Sequence, residues 1–308
     1  MTQRDPEEPD INLVNMSELK RLFQQGVNIM QHVREFQGYS INTAVAIRYA
    51  YDLQAGKYTA EMNLPDRQAY RRHYKALVAP LVRAVNPRTL LDVGTGEATT
   101  LAPLLDQLSG TIGETFAFDI SLSRLLYARK YLQKLGHAAR LFVADIQHIP
   151  LPDDSVDVVL TCHAVEPNGG REAIIMKELL RITNRRLIMV EPTFELGSEQ
   201  TRARIQRMGY VTGLPEVIEA LGHRIVRHEL TESLRADNQA SLIVVDKDST
   251  RSGQVHFCSP ISGAPLEDRD GYLYAPGDGF AFPMVAGIPC LCPENGILAS
   301  HLDIVKGD

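Results

Sequence analysis

The chain has 308 residues, of which 44% are hydrophobic and 23% charged, and a formal net charge of −6. Such proportions suit a globular protein with room for one large domain and a small one, and the negative balance gives no overall basic field to capture a phosphate backbone. No apolar run reaches the ~20 residues of a membrane helix, the first ten residues are acidic rather than signal-like, and four cysteines are too sparse for a secreted disulfide scaffold; a cytoplasmic protein with reduced thiols and no membrane partner is expected.

Residues 1–14 read as a disordered acidic lead. Asn15 and Glu18 then form a capping-box pattern, and Met16, Leu19, Leu22, Phe23, Met30, Val33 and Phe36 give one apolar stripe, predicting a single helix to residue 36. Two more helices are expected over 40–55 and 64–85, the second opened by Pro65. Tyr51, Tyr58, Tyr70, His73 and Tyr74 on these helices are candidates to reach a ligand, or else to pack in the core.

Next comes Leu90-Leu91-Asp92-Val93-Gly94-Thr95-Gly96, followed by apolar residues at Ala98, Leu101, Leu104, Leu105 and Leu108: a strand, a glycine turn and a helix. Such a turn lets backbone approach a ligand at the carboxyl end of a strand. A dinucleotide fingerprint would put a small residue at 99, where Thr stands, and an apolar one where Asp92 stands. An acid before G-x-G suits instead a cationic ligand with an ammonium and a sulfonium and no phosphate.

A strand over 113–118 ends in Asp119, and Asp119 or Ser121 caps a helix over 122–135. Residues 140–144 form a third strand, followed directly by Asp145 and Ile146. The buried strand at 158–160 runs into a loop bearing His163, Glu166 and Asn168, and a helix opens at Arg171. Residues 185–190 form a fifth strand ending in Glu191, a helix begins near Ser198, and 225–230 and 240–245 are closing strands.

Asp92-Val93-Gly94-Thr95-Gly96 resembles the first motif of class I S-adenosylmethionine-dependent methyltransferases, and its successors follow in order. The run from Ile149 to Asp157 resembles the small-molecule branch, and Glu191-Pro192 is similar to the quinone-biosynthesis type, although Thr183-Asn184-Arg185 replaces that type's Pro-Gly-Gly turn. The resemblance implies an α/β, Rossmann-like seven-stranded sheet over 87–248 with its last pair antiparallel, and an N-terminal helical lid over 15–86. It implies S-adenosyl-L-methionine as cofactor, held by Asp92, Gly94 and Gly96, with Asp119 and Ile120 at the ribose, Asp145 at the adenine amino group and the Ile146 backbone at a ring nitrogen. The acceptor is expected beside His163, Glu166, Asn168 and Glu191, with His163 as general base, orienting donor, or packing partner of the methionine moiety.

After a linker at 246–253 the composition shifts to short β-like runs rich in Pro and Gly. Residues 257–266, 271–274, 280–283 and 287–293 resemble the zinc-ribbon-like activator subunits of tRNA, rRNA and release-factor methyltransferases. A zinc ribbon needs two close Cys pairs; Cys258 has no second thiol nearby and the pair expected near 275–279 is missing, so loss of the metal is expected. His256, Cys258, Cys290 and Cys292 form an alternative ligand set at strand spacing. This module, 254–308, is expected to pack on its own catalytic domain in place of a partner subunit. A small-molecule or glycan-precursor acceptor is favoured, since Glu166-Pro167-Asn168 stands where exocyclic-amine methyltransferases carry Asn-Pro-Pro-Tyr. The alternatives are an RNA or translation-factor methyltransferase and a non-catalytic cofactor-binding scaffold.

Overall fold

The computed structural model describes residues 15–247 and 254–302; the acidic lead and most of the linker lie outside the described residues. At the N-terminus the Asn15 side chain accepts from the Ser17 and Glu18 amides and opens α1 (Met16–Gln24), as its position predicts. The single helix expected to residue 36 is two: Gly26, at φ +80°, ends the first, and the Asn28 side chain accepts from Gln31 N to start α2 (Ile29–Phe36). Thr43 caps α3 (Ala44–Leu53), a short α4 (Lys57–Ala60) follows, and α5 runs over Pro65–Arg83. Leu19, Ile29, Met30, Val33, Ala46 and Ile47 give α1 to α3 a small core of their own.

The central sheet contains β1 (Thr89–Val93), β2 (Glu114–Asp119), β3 (Arg140–Val143), β4 (Val156–Cys162), β5 (Thr183–Pro192), β6 (Ile225–Thr231) and β7 (Ala240–Asp246). Their order is β3-β2-β1-β4-β5-β7-β6. The first five are parallel and β7 is antiparallel to both its neighbours, which is the expected seven-stranded arrangement. The near-continuous apolar strands are buried on both faces, as a parallel sheet requires. One face carries α5, α6 (Leu101–Gln107) and α7 (Leu122–Lys134) through Val78, Leu104, Leu125 and Leu132. The other carries α8 (Glu172–Ile182) and α10 (Leu214–Ala220) through Ile175, Leu179, Leu214 and Ile218; α9 (Glu199–Met208), capped by Ser198, lies between them in sequence. Strand order reverses between β1 and β4, and open α/β sheets bind ligands at the carboxyl end of such a switch point.

The C-terminal module is antiparallel: β8 (Glu267–Arg269), β9 (Tyr272–Ala275), β10 (Phe280–Val285), β11 (Ile288–Pro289) and β12 (Ile297–Leu298). Leu291 N donates to Val143 O at 2.8 Å beside β3, the Phe257 ring meets Phe142 edge-on at 5.0 Å, and Arg48 of α3 pairs with Glu294. Among the described residues no three His, Cys, Asp or Glu side chains are grouped to hold a metal, and Cys258, Cys290 and Cys292 are buried free thiols.

Candidate functional site

The turn after β1 positions the site. Gly94 and Gly96 lie at φ +62° and +56°, and a Cβ on Gly94 would stand 2.5 Å from that of Ala164, one on Gly96 2.4 Å from the Arg124 guanidinium. At Gly94 the conformation and the space together require glycine, and at Gly96 a side chain would displace the Arg124 guanidinium from the turn. Thr95 N donates to Phe118 O at 2.9 Å and Gly96 N to Asp119 Oδ2 at 2.9 Å, so the turn is pinned to the end of β2. The helix expected from Ala98 begins only at Leu101, because Ala98 itself takes φ +55° and prolongs the turn.

Two adjoining cavities open over this turn. The larger, about 300 Å³, is lined by Asp92, Gly94, Tyr51, Tyr58, His163 and Glu166 among others. The smaller, about 60 Å³, is lined by Asp119, Ile120, Asp145, Ile146 and Asn168. Tyr51, Gly94, Arg124 and His163 border both.

Asp92 is 2% exposed and its Oδ2 is buried without a hydrogen-bond partner. Burial, opposed by the neighbouring Thr95 hydroxyl and aided by the Asp119 charge, pushes its carboxyl up to about 7. A buried carboxylate oxygen left unpartnered in this way fits an incoming ammonium. Asp119 Oδ1 accepts from Ser121 N at 2.9 Å, and each of its oxygens retains a lone pair beyond its one amide. Asp145 Oδ1 accepts from Gln147 N at 2.9 Å. This donor set, acids at three successive strand ends around a glycine cradle, fits a cofactor with an ammonium, two ribose hydroxyls and an adenine amino group.

Across the larger cavity His163 sits at φ +54°, uncommon for a residue other than glycine. Its Nδ1 lies 3.1 Å from Glu166 Oε2. Burial pulls the imidazole down, but the hydrogen bond and charge of Glu166, with Glu191, outweigh it and leave it raised. Glu191 is 1% exposed and borders neither cavity. Its carboxylate accepts from the amides of Ala164 (3.0 Å), Val165 and Glu166 (both 3.2 Å), and burial pushes it up to about 7. It therefore shapes the 163–166 loop from beneath. Asn168 donates to Val165 O at 3.1 Å and faces the smaller cavity.

Of the helical candidates, Tyr51, Tyr58 and Tyr70 reach the larger cavity; Tyr74 is buried in the core, and His73 turns to Thr231 Oγ1 at 2.8 Å. Sequence reasoning missed Arg124, whose guanidinium lies 5.0 Å from the Tyr51 ring centroid, 4.7 Å from that of Tyr58 and 3.9 Å from Asp119 Oδ2. A cation in the first turn of an amphipathic helix reads as a solvated face; only its proximity to the Ser121 cap, beside Asp119, hints otherwise. It also missed Glu97, which receives the Gly56, Tyr58 and Thr59 amides and the Thr59 hydroxyl.

Residues 90–185 match a family model described as a methyltransferase domain. No curated protein sequence matches the chain. Among solved structures, magnesium protoporphyrin IX methyltransferase (ChlM) from Synechocystis PCC 6803 with bound S-adenosylhomocysteine is similar at 15% identity and TM-score 0.54, covering 67% of this chain and 99% of that one. The same protein with bound S-adenosylmethionine gives 14% and 0.51, covering 67% and 97%. Residues 90–185 thus match a methyltransferase-domain model, and the chain around them has the fold of these class I methyltransferase structures.

Proposed function

We propose that the chain transfers a methyl group to a small-molecule or glycan-precursor acceptor seated against His163. The observation that carries this reading is that the orphaned Asp92 carboxylate and the His163–Glu166 pair line one cavity, so that cofactor and acceptor would meet within it. Asp92 and the backbone at Gly94 and Gly96 would hold the methionine moiety, Asp119 the ribose hydroxyls, and Asp145 with the Ile146 backbone the adenine. When bound, S-adenosylmethionine supplies an electrophilic methyl on a sulfonium that leaves as a neutral thioether.

The chain's own work is placement and proton handling. Helices α3 to α5 act as a lid, with Tyr51, Tyr58 and Tyr70 excluding water from the cavity. The acceptor's lone pair would take up the methyl that the cofactor supplies, with the neutral thioether as the leaving group. The acceptor's proton passes to His163 Nε2, while Nδ1–H donates to Glu166 and fixes the tautomer. Glu191 positions this loop and touches no reactant. The C-terminal module serves as a built-in counterpart of an activator subunit, a reading supported by its hydrogen bond to β3 and its ring contact with Phe142.

The test is transfer of label from methyl-labelled S-adenosylmethionine into an extract of the source, partitioned into RNase-sensitive, protease-sensitive and small-molecule or glycan fractions. Label is expected in the last and should vanish with Asp119→Ala. Label in RNA or protein overturns the acceptor class. S-adenosylhomocysteine binding with no transfer to any fraction would make the chain a non-catalytic scaffold.

A further inference from the structure

Besides Arg124, four arginines line the larger cavity: Arg67 and Arg71 on α5, Arg204 on α9, and Arg235 between β6 and β7. Two are neutralised, Arg67 by Glu61 at 3.0 Å and Arg235 by Asp237 at 2.8 Å. Arg71 donates only to the Met62 carbonyl oxygen, at 2.6 Å. Arg204 donates to the Asn238 side-chain oxygen and lies 5.3 Å over the Tyr210 ring. Among the described residues neither forms a direct ion pair, although the charge of Asp66 reaches Arg71 and that of Asp237 reaches Arg204.

The acids of the same cavity are engaged elsewhere. Glu97 accepts from backbone of the 56–59 segment, Glu166 holds His163, and Asp92 stands beside the glycine turn where the cofactor is read. In a chain of net charge −6 this cavity therefore carries two arginines without a direct ion pair. Burial, with the charge of Arg67 adding and Tyr131 and Asp66 opposing, holds the Arg71 guanidinium below its ordinary value, and an anion at the cavity would favour its charged form.

We propose that the acceptor carries an anionic oxygen group, a carboxylate or a phosphate, and that Arg71 and Arg204 grip it from opposite elements while its nucleophile faces His163. The inference rests on the methyl-transfer reading and names its substrate class. A guanidinium presents a planar fork that matches either oxyanion in two-pronged fashion, and a neutral acceptor would leave two half-covered cations unpaired. Convergence on one small cavity, in place of a basic stripe along the surface, favours a compact anion over a nucleic-acid backbone.

The experiment is calorimetric titration of the full-length protein, saturated with S-adenosylhomocysteine, with benzoate, phenyl phosphate and neutral benzamide. At least one anion should bind tenfold or more tightly than benzamide, and the preferred anion tells carboxylate from phosphate. Arg71→Met and Arg204→Met should each weaken that anion at least fivefold, with S-adenosylhomocysteine affinity kept within twofold as proof of folding; Arg71→Lys and Arg204→Lys should restore part of the loss. Equal binding of benzamide, or anion affinity that survives both Met substitutions, overturns the proposal. If S-adenosylhomocysteine fails to bind the unaltered protein, the methyl-transfer reading falls and this inference with it; if it binds and the anions do not, only this inference falls.

Discussion

Asp92 is a carboxylate set where water cannot reach its second oxygen, and its protonation should govern cofactor binding. Its carboxyl stands at about 7 in the fold against about 3.9 for an unfolded chain. A folded value raised in this way gives proton-linked stability that is fully present below the unfolded value and is lost as pH rises through about 7. An ammonium against Oδ2 reverses the preference by favouring the ionised acid. Affinity for S-adenosylhomocysteine should therefore increase from pH 6 to pH 8, by up to about tenfold per unit below the midpoint. Glu191 titrates in the same range but its carboxylate is taken by three loop amides, so Asp92→Asn separates the two: its affinity should be weak at pH 8 and nearly flat with pH. A wild-type affinity indifferent to pH would remove Asp92 from the ammonium site. The acids at strand ends were readable from sequence because each closes an apolar run. Arg124 was not, since its partners Tyr51, Tyr58 and Asp119 come from three separate elements.

Among the elements, α4 shows why short structure escapes sequence periodicity. It has four residues, no side-chain cap at Gly56, and a start set by tertiary contact. Glu97, from the glycine turn, supplies the missing cap: it accepts from Gly56 N at 3.0 Å, Tyr58 N at 3.2 Å, Thr59 N at 2.7 Å and Thr59 Oγ1 at 2.6 Å. The same contacts lay Tyr58 over Arg124 and so close the proposed lid on the turn. Glu97→Gln removes the charge and replaces one acceptor oxygen with a donor, which should cost about 1–3 kcal/mol locally. Amide exchange over 56–59 should speed up while exchange in β1 and β4 stays unchanged, and the KM for S-adenosylmethionine should rise. Unaltered exchange at 56–59 would mean that the helices are held shut by other contacts. The break at Gly26 and the prolonged turn at Ala98 escaped for a related reason: apolar spacing ran on through both, while the backbone did not.

At the scale of the molecule, the strand order was legible through the family resemblance carried by the residues at the ends of β1 to β5, whereas the seating of the C-terminal module was not, since it depends on which sheet edge is left open. That edge is β3, whose Val143 carbonyl takes the Leu291 amide at 2.8 Å; an unpaired edge would otherwise invite foreign strands. Leu291, Leu273 and Phe282 share one buried cluster with Phe142 and Val159 of the sheet, and Ile288 and Cys292 share the cluster on the opposite face with Leu141. A module with its own separate core would show its own unfolding transition. Here the apolar contacts cross between module and sheet on both faces, so one cooperative transition is expected. Leu291→Ala, at a position fully shielded from solvent, should lower that single transition by about 2–5 kcal/mol of stability. The pair from Arg48 to Glu294 ties the module to α3 as well, so Glu294→Gln should weaken S-adenosylhomocysteine binding although it lies outside both cavities. Two transitions, with only the weaker one moved by Leu291→Ala and cofactor affinity untouched by Glu294→Gln, would make the module an appended domain with no part in the site.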